Sequence, residues 1–153
     1  MANTYTQINI HAVFAVYKRE NIILAKYQSE LFKYIAGILY NNKQYSLAVN
    51  GYKDHVHIFF EMHPTNTLSD ILRIVKTNSS KWINQNGFVK GRFEWQDGYG
   101  AFSYSRSQRD DVIKYINNQE EHHKKRTFRE EYFDLLEKFQ IEFDDHYVFE
   151  FYD

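Results

Sequence analysis

His55-Val56-His57-Ile58-Phe59-Phe60-Glu61-Met62 reads as a β-strand with two unlike faces. Alternate residues of a strand point the same way. Val56, Ile58, Phe60 and Met62 therefore form an apolar side, and His55, His57, Phe59 and Glu61 form the other. Helices belong on the apolar side, so the histidine side is expected to be the open face of the sheet. Upstream, Ile8, Ile10, Ala12, Phe14 and Val16 alternate through Tyr5–Val16, a second strand. Tyr27, Leu31, Tyr34, Ile35, Ile38 and Leu39 recur at helical spacing. Ser46–Asn50 is a short strand, joined to the histidine strand by a turn over Gly51–Asp54.

Downstream, His63-Pro64-Thr65-Asn66 ends the strand. Thr67 is the expected N-cap of a helix carrying Leu68, Ile71, Leu72, Val75, Trp82 and Ile83. Gly87–Tyr99 holds three glycines and reads as loop, and Ala101–Ser105 as a strand. Ser107 is the expected cap of a helix from Gln108 to about Glu121. Thr127-Phe128-Arg129-Glu130 is a capping-box pattern opening a last helix through about Phe139. The order strand, helix, strand, strand, helix, strand predicts an α+β fold: a ferredoxin-like (split βαβ, RRM-like) antiparallel sheet with helices on one face and extra C-terminal helices. The expected organisation is one domain over 1–153: a core of about 5–126 containing the 108–121 helix, then a C-terminal helix and acidic tail over 127–153. That tail offers Tyr147, Phe149 and Phe151 for packing.

The chain has no cysteine, which excludes disulfides and thiolate metal sites. Its start lacks the basic and apolar stretches of a signal peptide, and no apolar run approaches membrane-spanning length. A soluble cytoplasmic protein without membrane association is the expectation. The net charge of −1 hides an uneven distribution. From Ile71 to Arg92 the charged residues are Arg73, Lys76, Lys81, Lys90 and Arg92, with no acid among them. Lys124, Lys125 and Arg126 follow His122 and His123, and acids dominate after Arg129. Two readings stay open: scattered solvated charge, or a basic middle that binds phosphate.

Two imidazoles on one face can be hydrogen-bonded structural groups or metal ligands. With an oxygen as third ligand they suit Mn²⁺ or Mg²⁺, with Zn²⁺ also compatible. Tyr115 and Gln119 lie four apart on the expected helix and share a face. A phenol with an ordinary pKa of about 10 needs about 4 kcal/mol to ionise at pH 7. A nearby cation offsets part of that and can polarise a phosphodiester.

Several stretches together resemble one family. Asp54-His55-Val56-His57-Ile58-Phe59 is similar to the HUH signature, and Tyr115-Ile116-Asn117-Asn118-Gln119 to the nucleophile helix of single-tyrosine transposases. His11-Ala12-Val13-Phe14, the stretch from Trp95 to Ser103, and Gln119-Glu120-Glu121-His122-His123 resemble the same family. It is the insertion sequence 200/605 family of single-tyrosine HUH transposases, and the likeness runs from about Tyr5 to Phe149. One departure is Tyr104, where a small aliphatic residue is expected.

The resemblance implies that His55, His57 and Gln119 ligate Mg²⁺ or Mn²⁺. It implies that Tyr115 attacks single-stranded DNA, leaving a 5′-phosphotyrosine and a free 3′-OH. It further implies a homodimer that recognises subterminal hairpins and needs no organic cofactor. Lys76, Lys81, Arg92 and Tyr99 are candidate DNA contacts. His122 and His123 are compatible with phosphate contact, metal binding, an interface or a polar helix end. The alternative to a transposase is a non-catalytic or domesticated module that binds single-stranded DNA hairpins.

Overall fold

The computed structural model describes residues 3–18 and 21–152. Four antiparallel strands, β1 (Asn9–Ala15), β2 (Tyr45–Gly51), β3 (His55–Glu61) and β4 (Gly100–Tyr104), form one sheet in the order β2-β3-β1-β4. Helix α1 (Ala25–Asn41) joins β1 to β2, and α2 (Leu68–Asn86) joins β3 to β4. This is the expected split βαβ order. Thr67 caps α2 by accepting a hydrogen bond from the Asp70 amide at 3.2 Å. Gly87 ends it at φ 62°, a left-handed conformation that glycine adopts without steric cost.

The tight β2–β3 turn needs Gly51. A Cβ there would stand 2.3 Å from the His55 carbonyl oxygen. The absence of a side chain lets the strand that carries both histidines fold directly back on β2.

One side of the sheet meets its helices as expected. Ile10, Ala12 and Phe14 of β1 and Val56, Ile58 and Phe60 of β3 pack under Leu31 and Ile35 of α1 and Ile71, Leu72 and Val75 of α2. The other side departs from the expectation of an open histidine face. It is covered by α3 (Arg109–Asn117), α4 (Gln119–His122), α5 (Phe128–Lys138) and the segment after them. Val13, Ala15 and Phe102 lie under Phe128, Tyr132, Leu135, Leu136 and Phe149. Ala48 and Phe59 lie under Val112 and Ile116. The physical reason is that the histidine side also carries apolar residues. Val13, Ala15 and Phe59 flank the histidines and must be buried too.

Two further differences concern the C-terminal helices. The expected 108–121 helix starts one residue later, after a 3-10 turn that Ser105 and Gln108 cap reciprocally, and it breaks at Asn118 (φ −103°, ψ 25°). Of the tail aromatics, Phe149 is buried and Phe151 half-buried, but Tyr147 is 87% exposed. The Thr127–Glu130 capping box opens α5 as expected.

Candidate active site

β3 delivers His55 and His57 to the covered face, both fully buried. Asn50 of β2 donates its amide to the Ile116 carbonyl at 2.9 Å and ties the end of α3 to the sheet. That anchor places Tyr115 and, beyond the break, Gln119 above the histidines. α5 supplies Glu131, also fully buried, from the apolar stripe that holds Phe128, Tyr132 and Leu135.

Glu131 is the hub. Its Oε1 lies 3.3 Å from His55 Nε2 and 3.2 Å from both His57 Nε2 and His123 Nε2. Its Oε2 accepts a short hydrogen bond from the Tyr115 hydroxyl and another from the Gln119 amide at 3.1 Å. The Gln119 carbonyl oxygen is thereby turned to His55 Nε2, 3.1 Å away. All four sequence-predicted residues, His55, His57, Tyr115 and Gln119, thus converge. The broken helix does not separate Tyr115 from Gln119, because both bind the same carboxylate oxygen.

Neighbours fix the imidazoles. His55 Nδ1 is 2.7 Å from the Asp54 carboxylate, and Phe128 stacks on its ring at 3.9 Å. His57 Nδ1 is 2.7 Å from His11 Nε2. His122 packs its ring on Tyr115, centroids 4.8 Å apart.

Electrostatics follow from burial and these contacts. Burial would lower His55, but Asp54 and Glu131 outweigh it and the imidazole is pushed up to about 9. Burial holds His57 below its usual value, and His11 still further below. Burial would raise Glu131, but the surrounding imidazoles hold it well below the carboxylate range. Burial, then the Glu131 charge, raises the Tyr115 phenol, so it is a neutral donor at pH 7.

His55, His57 and Glu131 each offer one ligand atom, all within 4.8 Å of one another. The donor chemistry fits a divalent cation. His55 keeps its Nδ1 proton on Asp54, so Nε2 faces two oxygens that only accept. A positive charge is required at that point, and a proton or a metal ion can supply it.

The candidate DNA contacts lie elsewhere. Lys76, Lys81 and Arg92 line one groove of about 830 Å³ between α2 and the 92–97 segment, on a helix across the sheet from the histidines. Lys76 donates to the Gln96 and Gly98 carbonyls at 2.7 and 2.8 Å and braces that loop. Tyr99 lines a separate cleft with Ile141, Phe143 and Tyr147.

Sequence reading missed Glu131, which it placed among the tail acids. The available signal was its position: three residues after Phe128 and four before Leu135, inside an apolar stripe where a lone acid needs a buried partner.

The profile of a family described as "Transposase IS200 like" matches residues 4–119. No curated protein matches the chain. Among solved structures, a candidate transposase from Deinococcus radiodurans R1 is similar, with TM-score 0.62 and 19% identity, over 78% of this chain and 95% of that one. A REP-associated tyrosine transposase bound to a REP hairpin has TM-score 0.55 and 13% identity, over 77% of this chain and 70% of that one. These two likenesses share the fold, while the profile match spans most of the chain and takes in His55, His57, Tyr115 and Gln119. The chain belongs to the IS200-like transposase family.

Proposed function

We propose that this transposase cleaves and rejoins single-stranded DNA through Tyr115, with a divalent ion held by His55, His57 and Gln119. The observation that carries this reading is the convergence of the Tyr115 hydroxyl, both imidazoles and the Gln119 oxygen around one buried carboxylate. A pure binder has no need to bury that set together.

The Tyr115 oxygen attacks the scissile phosphorus and the P–O3′ bond breaks. The phenol gives up its proton and the departing 3′ oxygen gains one, leaving a 5′-phosphotyrosine and a 3′-OH. The phosphotyrosine conserves the ester for rejoining. Held there by His55, His57 and Gln119, Mg²⁺ or Mn²⁺ would supply Lewis-acid polarisation of the phosphate and a charge that eases ionisation of the phenol. Glu131 orients the phenol, and the Gln119 amide is held so that its oxygen faces the histidines.

The hairpin carried by the REP-associated relative supports hairpin DNA as the partner class. The groove at Lys81 and Arg92 is the candidate phosphate surface, and the active species is a homodimer. No helix among the described residues is long and apolar enough to cross a membrane.

The test is a denaturing gel of protein mixed with single-stranded DNA from the flanks of its own gene, with Mn²⁺ or Mg²⁺. A covalent adduct that needs metal and vanishes in Tyr115→Phe is the expected result. An adduct that persists in Tyr115→Phe means another tyrosine attacks. Tight hairpin binding without any adduct would instead support the binding-only reading.

A further inference from the structure

Beyond the two strand histidines, a third imidazole points at the same spot. We infer that His123 is a ligand of the metal centre, which makes the site one for a borderline transition ion such as Co²⁺ or Zn²⁺ in preference to Mg²⁺. The inference rests on the metal-dependent reading above and deepens it.

The hydrogen bonds fix the tautomer. His123 Nδ1 lies 3.1 Å from the Arg126 carbonyl oxygen. A carbonyl only accepts, so Nδ1 carries the proton and the Nε2 lone pair points inward. That lone pair meets Gln119 Oε1 at 3.1 Å and Glu131 Oε1 at 3.2 Å. Both oxygens are acceptors too, because the Gln119 amide nitrogen is already committed to Glu131 Oε2. His55 is placed alike, with its Nδ1–H donated to Asp54 and its Nε2 at 3.1 and 3.3 Å from the same two oxygens.

His57 Nε2 adds a third nitrogen 3.2 Å from Glu131 Oε1. Five atoms able to ligate a metal, from five side chains, thus crowd one point. Bonds of about 2.0–2.2 Å to a shared ion put neighbouring ligand atoms about 3.0–3.5 Å apart. The five separations, from 3.1 to 3.3 Å, all fall in that interval.

The third imidazole is built in, not draped over the surface. Its side chain is 3% exposed, and Tyr52 stacks on it with centroids 5.1 Å apart. α4 and the turn to Arg126 thus carry His123 into the cluster, with its Nδ1 held by the Arg126 carbonyl. Three imidazole nitrogens with one carboxylate and one amide oxygen are a poor match for Mg²⁺, which takes oxygen ligands and keeps its waters. They suit Co²⁺ and Zn²⁺ better.

The test uses the full chain and reads the metal directly. Co²⁺, Mn²⁺ and Mg²⁺ are titrated by calorimetry into wild type, His123→Asn, His123→Gln and Tyr115→Phe. Nitrogen couplings to bound Mn²⁺ are counted by pulsed electron paramagnetic resonance. Metal-free thermal melts confirm that each variant folds. Wild type is expected to bind one equivalent, with Mg²⁺ at least about a hundredfold weaker than Co²⁺. Both His123 variants are expected to fall about tenfold or more in affinity and to show one fewer of the three imidazole couplings.

Unchanged affinity and two couplings in every protein would overturn the assignment. So would Mg²⁺ binding as tight as Co²⁺, or no binding by wild type, which would mean that protons fill the site. Tyr115→Phe separates the two readings. If it binds metal like wild type and wild type still makes no adduct with DNA, the cleavage reading fails and the His123 ligation stands.

Discussion

Glu131 shows how one side chain can organise a site assembled from four elements. It touches groups from β3, α3, α4 and the turn after α4, and it does so from a fully buried position. Removing one partner from a buried ionic network typically costs about 3–5 kcal/mol, because the remaining groups are left without compensation. Glu131→Ala is therefore expected to destabilise the metal-free protein by roughly that amount. It should also abolish adduct formation, since Tyr115 and Gln119 would both be without the oxygen that aligns them. Urea unfolding and the adduct gel check the two effects separately, and a variant of wild-type stability would contradict the central position of this carboxylate. His55, His57, Tyr115 and Gln119 were legible as residues because their short spacings are local properties of a strand and a helix. Glu131 was not, because its role depends on a packing partner 74 residues away.

Among the elements, α5 is the piece that turns an open sheet into a closed site. Its capping box, its stripe of Phe128, Tyr132, Leu135 and Leu136, and its carboxylate all serve one docking. With α3, α4 and α5 seated, His55, His57 and Gln119 have no solvent exposure, so a DNA phosphate reaches them only if one of these covering helices shifts. A cleft of about 210 Å³ lined by Tyr104, Val112, Tyr115 and Leu135 lies between α3 and α5. Thr127→Ala removes the cap and is expected to cost about 1 kcal/mol of helix stability. Hydrogen exchange should be faster across Phe128–Lys138 in that variant, with the β1 and β3 amides unchanged. Adding single-stranded hairpin DNA and Mn²⁺ to wild type should speed exchange over the same helix. Adduct formation with no change there would show that DNA enters by another route. The helix boundaries themselves were largely readable, since caps are written in three or four consecutive residues. The break at Asn118 was not, because no glycine or proline marks it in the sequence.

Across the molecule, the two candidate surfaces lie on opposite sides of one sheet. The histidine cluster is under α3–α5, while Lys81 and Arg92 line the groove beside α2. Removing one side chain that neutralises a phosphate should reduce the salt dependence of single-strand binding by about 0.7 in the log–log slope. Lys81→Ala and Arg92→Ala are each expected to weaken hairpin binding and to flatten that slope, with folding unaffected. Lys76→Ala should behave differently. Its ammonium is committed to two loop carbonyls, so it should lower the melting temperature more than it alters the slope. Fluorescence anisotropy across a salt series, with parallel thermal melts, distinguishes the three. Equal salt slopes for all variants would remove this groove as the DNA surface.

Local pattern in the chain was enough to specify the strand and helix order, the pairing of His55 with His57, the two capped helices and the family. Each depends on periodicity or on contiguous motifs, which neighbouring residues carry among themselves. Long-range packing settled the rest: that the histidine face is closed, that Glu131 and His123 join the cluster, and that the basic groove lies across the sheet from it. Those facts depend on which apolar surfaces find each other. Burial of Val13, Ala15, Phe59 and Phe102 on the histidine side draws α3 and α5 onto the sheet, and the polar cluster is assembled as a consequence.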